Sequence, residues 1–318
     1  MATSTPPGSA LWQPQAHMPT VSEDRLTIVR GEGARIQTDE GRWLLDATAG
    51  LWHANIGHGR ARLADAAAEQ MRRLETYHTF GRITNDRALA LADRVAAVFA
   101  EPVIGTGGVI PPAEGYLPRI EAVCREHDVL LVLDEVITGF GRTGEMFATQ
   151  LFDLRPDMIT MAKGITSGYA PLGGVLVAPR VWRPFFEGDD APIFRHGVTY
   201  SGHATACAVA QANLDVIEEE DLVARVARLT PELANAVAPL ADHPLVAEVR
   251  AGVGLLAGVQ LQPDVSGDAV TRHCLEDGIL LRVITNNTLQ ISPPFVVDAD
   301  DLRRIAAAIA RALDTLAR

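Results

Sequence analysis

The 318 residues carry 40 acidic against 28 basic side chains, a formal net charge of −12, so the surface repels phosphate backbones and nucleic acid is not an expected partner. An apolar fraction of 47% and a charged fraction of 21% belong to a globular chain that can bury a sizeable core, in one large domain or two moderate ones; no apolar run reaches the length of a membrane span. The first residues, Met1-Ala-Thr-Ser-Thr-Pro-Pro-Gly, lack the charged-then-apolar pattern of an export signal, which makes the cytoplasm the expected compartment.

Residues 1–22 are rich in Pro, Ser and Gln and read as an arm with little regular structure. Leu26–Arg30, Ala34–Gln37 and Arg42–Asp46 are strand-like pieces separated by Gly- and Asp-containing turns, a small β-meander. After a glycine-rich stretch over 49–60, Leu63, Ala67, Met71 and Leu74 fall on one face of a helix from Ala61 to Glu75. A second helix, Asp86–Val95, runs straight into a strand, Ala97–Ala100. That join is odd, because a helix and a strand normally need a few connecting residues, often with Gly, Asn or Pro, and none is present.

From Ala97 the pattern becomes α/β. An amphipathic helix over Glu114–His127 presents Leu117, Ile120 and Cys124, and an apolar strand over Val129–Leu133 ends at Asp134-Glu135. Strands follow over Met158–Met161 and Gly174–Ala178. Short apolar runs bounded by helices predict parallel strands buried on both faces. The remainder reads as a separate α+β lobe: helices over Thr205–Glu219 and Leu222–Val237, strands over Val246–Val249 and Leu255–Leu261, a helix over Ala269–Glu276 and a strand over Ile279–Val283. The last helix, Asp300–Leu316, begins with acids in its first turn.

Twenty-seven of the basic residues are arginine and one is lysine, Lys163. Arginine keeps its proton in a protein, whereas a lysine amine can be desolvated into a nucleophile, so a lone lysine points to chemistry that needs a primary amine, such as a Schiff base with a carbonyl compound or with pyridoxal phosphate (PLP). Asp134 and Lys163 both stand at the C-terminal ends of predicted neighbouring strands, where ligands gather in open α/β sheets. A carboxylate there could keep a pyridine nitrogen protonated, and it could equally cap the turn that follows the strand. Cys124, Cys207 and Cys274 are widely spaced and odd in number, and the nine histidines form no H-x-x-x-H cluster, so no metal site is expected.

Three stretches together carry a family resemblance: Leu133-Asp-Glu-Val-Ile-Thr-Gly-Phe-Gly-Arg142-Thr-Gly, Pro156-Asp-Met-Ile-Thr-Met-Ala-Lys163-Gly-Ile, and Gly197-Val-Thr-Tyr-Ser-Gly-His203. They resemble the signature of the class III, PLP-dependent aminotransferases of fold type I, and within these the omega-amino acid:pyruvate group, over nearly the whole chain. The resemblance implies a mostly parallel sheet with helices on both faces plus a smaller α+β lobe. It divides the chain into an arm and meander over 1–58, a PLP-binding large domain over 59–208 and a C-terminal small domain over 209–318. It also implies a homodimer that moves an amino group from an amine or omega-amino acid to a keto acid such as pyruvate.

By the same resemblance Lys163 matches the Schiff-base lysine, Asp134 the partner of the ring nitrogen, and Val136 the apolar residue on one ring face. Thr199 matches a threonine that reaches the cofactor phosphate of the neighbouring subunit. Trp52 matches an aromatic wall of the substrate pocket, and Arg282 a mobile arginine that pairs with a substrate carboxylate. For Arg282 the chemistry fits, because a planar guanidinium meets a carboxylate with two parallel bonds.

The sequence also departs from that pattern. The family has a stretch the size of a small domain between the helix ending near Val95 and the strand beginning near Ala97. That stretch supplies the backbone amides that cradle the cofactor phosphate and the aromatic residue stacked on the second ring face. It is missing here. Asp93-Arg-Val-Ala96 resembles both what ends the upstream helix and what begins the downstream strand, the seam an in-frame deletion would leave. Of the family's seven sheet strands, four contiguous ones are expected to remain, with two formerly central edges bared. A non-catalytic remnant, or a PLP mutase or decarboxylase on the same scaffold, stay beside the transaminase reading.

Overall fold

The computed structural model describes residues 26–73 and 97–317 apart from residue 198. The expected arm over 1–22 and helix over Asp86–Val95 lie outside the described residues, as does the end of the helix expected to run to Glu75.

The meander forms as β1 (Ile28–Glu32), β2 (Arg35–Thr38) and β3 (Trp43–Asp46), paired antiparallel. Alternation puts Ile36 and Leu44 inside, at 6% and 1% exposure, and leaves Trp43 and Val29 outside. Helix α1 (Ala61–Arg73) follows, with Leu63 fully buried.

The central sheet has the order β4-β5-β6-β7: β4 (Ala97–Ala100), β5 (Leu130–Asp134), β6 (Met158–Met161) and β7 (Gly174–Val177). The four expected strands are therefore contiguous. The first three are parallel, with Ala100 beside Leu133 and Asp134 beside Thr160. Helix α2 (Tyr116–Glu126) packs its apolar face, Leu117 and Cys124, with Leu131 and Leu133 of β5. Two expectations need correction. β7 runs antiparallel to β6, Met158 opposite Val177, because the connection between them holds only tight turns, and a parallel return needs a crossover element. Burial on both faces holds only for β5, whose Leu131, Val132 and Leu133 are at most 2% exposed. Phe99 of β4 is 69% exposed and Val175 of β7 is 52% exposed, since these are the edge strands, each with a single neighbour in the sheet.

Beyond β7, α3 (Ala204–Glu219) and α4 (Leu222–Val237) lead into a third sheet of order β11-β12-β9-β8, antiparallel throughout. Its strands are β8 (Val246–Arg250), β9 (Ala257–Leu261), β11 (Arg282–Ile284) and β12 (Thr288–Ile291). Helices α5 (Gly267–Glu276) and α6 (Ala299–Leu316) share one core with it: Val259, Leu289, Val270, Leu302, Ile305 and Ile309 are all fully buried. Asp298 caps α6 by accepting from the Asp301 backbone, as acids at a helix start should.

The single strand expected over Ile279–Val283 is two. β10 (Ile279–Leu280) pairs in parallel with β3 of the meander, and β11 joins the third sheet. The chain changes sheets at the buried Leu281, so a run that looks continuous in sequence bends where two cores meet. This switch ties the N-terminal meander to the C-terminal lobe and brings Arg282 round towards the ends of the central strands.

Among the described residues no helix is long and apolar enough to cross a membrane, and no group of three or more His, Cys, Asp or Glu residues could hold a metal ion.

Candidate active site

The site lies where three parallel strands end side by side. β5 ends at Asp134, whose neighbour across the ladder is Thr160 of β6. Three residues later β6 gives way to a tight turn over Lys163–Ile165. Lys163 takes a left-handed backbone, with φ at +45°. That region is strained for a residue with a β-carbon, and such strain persists only where the surroundings impose it. The lysine is half-buried, and burial lowers the pKa of its amine; Asp134 and Glu101 act to raise it and Arg282 to lower it. Burial wins, so the amine loses its proton more readily than an ordinary lysine, as a nucleophile requires.

Asp134 caps the turn that follows its strand and also lies near Lys163. One carboxyl oxygen accepts the Val136 backbone N–H at 3.0 Å, capping the turn, while the group stays within electrostatic reach of Lys163. Val136, two residues beyond Asp134, is partly buried. Arg282, on β11, is held by Gln290, whose side-chain oxygen accepts its Nε–H at 2.7 Å. Among the described residues no carboxylate forms an ion pair with Arg282. Burial lowers its pKa, yet a guanidinium keeps its charge at neutral pH.

Trp52 stands in the turn after the meander, again left-handed with φ at +66°, and is 1% exposed. It packs in one cluster with Val103, Val109, Ile137 and Leu256, and its indole N–H has no partner among the described residues. Asp46 builds this turn. Its carboxylate accepts from the Thr48 backbone, the Thr48 hydroxyl and the Gly50 backbone at 2.9, 2.8 and 2.7 Å, and faces His58 Nε2 at 2.9 Å. Burial alone would raise the Asp46 pKa, but His58, Thr48 and Gly50 together hold it below the ordinary value.

The structure thus brings Lys163, Asp134 and Arg282 together. Thr199 is exposed in the turn before α3, and no interaction at Lys163 involves it. Glu101 is the residue that sequence reasoning missed. Because Ala100 pairs with Leu133, Glu101 follows β4 as Asp134 ends β5, and its carboxylate accepts the Gly105 backbone N–H at 2.9 Å. The signal was present as an acidic residue closing an apolar run, the same pattern that singled out Asp134.

The donor set suits PLP at its ring end. The only lysine of the chain would supply an amine for the aldehyde, a carboxylate at the next strand end would suit a protonated ring nitrogen, and Val136 would offer an apolar side chain.

Comparison with known proteins agrees with this geometry. The family model described as aminotransferase class-III matches residues 87–313. An omega-aminotransferase of Caulobacter vibrioides is 42% identical over 236 residues, 72% of this chain and 53% of that protein. The chain spans about half the length of this relative. A putrescine–pyruvate aminotransferase of Pseudomonas aeruginosa is 29% identical, with 91% of each chain covered. That alignment is 418 positions long against a chain of 318, so at least 100 of its positions face nothing here. Among solved structures, an amine transaminase from an uncultivated Pseudomonas species in a PLP-bound form matches with a TM-score of 0.87 at 27% identity. The match covers 96% of this chain and 98% of that one.

Proposed function

The chain belongs to the class III aminotransferase family, and from that premise we propose that it moves an amino group from an amine or omega-amino acid to a keto acid such as pyruvate, with PLP as cofactor. The observation that carries this reading is the half-buried lone lysine beside Asp134 at adjoining strand ends. PLP supplies an aldehyde to take up the amino group and a ring that withdraws electrons from the reacting carbon. Lys163 would hold the aldehyde carbon and, once displaced by the incoming amine, would serve as the base that takes a proton from the substrate carbon bearing nitrogen and returns it to the aldehyde carbon. Asp134 would keep the ring nitrogen protonated, and Val136 would supply an apolar contact to the ring. Thr199 of a second copy would donate its hydroxyl to the phosphate, which would make the working form a homodimer. Trp52 bounds the substrate pocket. A cytoplasmic location and the division at 58 and 208 complete the proposal, with β10 linking the first part to the third. The direct test is amino transfer to pyruvate by the purified protein with added PLP, followed as alanine formed.

Asp134→Asn should preserve the bond to Val136, since an amide oxygen still accepts, while removing the charge. A carboxylate paired with a pyridinium is worth several kcal/mol to a carbanion-like transition state, so a rate loss of about a hundredfold or more is expected. The amino-transfer rate at saturating PLP measures it, and an unchanged rate removes Asp134 from the mechanism.

Arg282→Ala should act on some substrates only. Keto acids and amino acids carry the carboxylate that the guanidinium fork would meet; simple amines do not. The expected result is kcat/KM reduced about tenfold or more for carboxylate-bearing substrates and little changed for the half-reaction with an amine such as 1-phenylethylamine. Equal losses on both would make Arg282 a structural residue that holds Gln290.

A further inference from the structure

The turn that carries Lys163 is gripped by side chains from distant parts of the chain, and we propose that Asn213 is a positioning residue, which with Asn55 fixes the backbone from which the reacting amine projects. The inference rests on the reading of Lys163 as that amine.

The turn does not support itself. Lys163, Ser167 and Gly168 all have positive φ, at +45°, +48° and +84°. The internal bonds are long: Thr166 N to Lys163 O at 3.3 Å, Ser167 N to Gly164 O at 3.4 Å and Ile165 N to Ala162 O at 3.2 Å. A left-handed lysine in so loosely bonded a turn needs support from outside.

Asn213 supplies that support from the middle of α3. It is fully buried, and its Nδ2 donates to both the Gly164 and the Ile165 carbonyl oxygens at 3.0 Å. Two carbonyl acceptors can be met only by the NH2 end of the amide, so the orientation follows from the chemistry of the neighbours. No other residue type of similar size brings two donors on one nitrogen without a charge.

Asn55 closes the turn from another side. A β-carbon on Gly164 would lie 2.3 Å from Asn55 Nδ2 and 3.1 Å from Phe140 Cβ, so a side chain here would have to displace the Asn55 amide. Asn55 cannot retreat. Its oxygen accepts from Arg142 at 2.7 Å, and its backbone carbonyl accepts from Phe295 N at 2.8 Å. Arg142 is itself fully buried, donates to the Leu255 and Pro293 carbonyls at 3.2 and 2.6 Å, and lies over the Phe295 ring at 4.7 Å. The glycine-rich turn over 49–60, Arg142 and the segments flanking the third sheet therefore meet at one amide, and that amide bounds the lysine turn. Asn213 is the removable half of the grip, because among the described residues its side chain hydrogen-bonds only to the turn.

Loss of Asn213 would take the donor from the Ile165 carbonyl, leave the Gly164 carbonyl with only the long bond from Ser167 N, and let the turn relax. Lys163 would then change its direction towards the charged groups described around it, Asp134, Glu101 and Arg282. The chain offers a direct probe, because reductive methylation with 13C-formaldehyde labels one lysine besides the N-terminal amine. In the parent protein the Lys163 signal should titrate below the ordinary lysine range. In Asn213→Leu it should move up towards that range. Labelling of Lys163 by PLP and borohydride should slow about tenfold. Val216→Ala, a cavity on the same helix, should lower thermal stability without moving the signal. If Asn213→Leu does not fold, Asn213→Ser, which keeps one donor, is read in the same way. An unmoved signal with parental labelling in a folded Asn213 variant overturns the proposal, as does an equal movement in Val216→Ala. The titration needs no cofactor. A parent Lys163 that titrates as an exposed lysine removes the functional reading together with this inference, whereas failure of the Asn213 effect alone leaves that reading intact.

Discussion

Replacing Lys163 with arginine should abolish covalent capture of PLP while leaving the fold in place. The substitution keeps a positive charge and a long side chain, and its backbone strain at φ +45° is the same for any residue with a β-carbon. What it removes is the capacity to lose a proton, because a guanidinium does not deprotonate in a protein. No second lysine can substitute. Borohydride reduction after incubation with PLP, followed by peptide mapping, should place a pyridoxyl group on the peptide containing Lys163 in the parent. In Lys163→Arg that label should be lost completely, beyond a trace at the N-terminal amine. Label found only at the N-terminus of the parent, or an equal label in both proteins, would sink the assignment.

How much of this site could be read in advance follows from the range of each interaction. Lys163 and Asp134 were legible because both signals are local: the one lysine of the chain, and an acid closing an apolar strand. Glu101 carries the same local signal, but it follows the strand at the abrupt join after Val95, and its place beside Asp134 depends on the pairing of Ala100 with Leu133. The direction of β7 was not legible, since it depends on whether the chain between Met161 and Gly174 crosses over or doubles back. The break at Leu281 was hidden for a related reason. Ile279 and Val283 are apolar alike, and only the pairing of β10 with β3 and of β11 with β12 separates them. Asn213 could not be found at all, because its partners lie 49 and 48 positions away, and nothing in α3 itself asks for an asparagine.

The same long-range view bears on the join before β4. The bared edges fall where neighbouring strands are expected in the family, with Val98 and Phe99 of β4 at 37% and 69% exposure and Leu176 of β7 at 45%. Exposed apolar edges of this kind pair with other chains or aggregate, so dilute protein is the right starting material for any measurement of binding.

That measurement is the affinity for PLP, which we expect to be weak. The cofactor phosphate carries close to two negative charges, and by family resemblance backbone amides from the segment missing here neutralise most of them. In the proposed reading Thr199, exposed in this chain, offers one hydroxyl from a second copy in place of those amides. Each lost charge-assisted hydrogen bond is worth roughly 1.5–3 kcal/mol, so losing two or three weakens binding by about three orders of magnitude or more. Lys163 and Asp134 do not replace that contribution, because they act at the ring end of the cofactor. The protein should purify without colour, bind PLP only at high concentration through reversible attachment to Lys163, and transfer amino groups slowly or not at all until PLP is raised to saturation. Titration with PLP, followed by the visible absorbance of the lysine-bound cofactor, measures the affinity. Addition of inorganic phosphate tests its cause, since a site that does not grip the phosphate should show little competition. Sub-micromolar binding with brisk turnover would mean that another part of the chain, or of a second copy, has rebuilt the phosphate cradle.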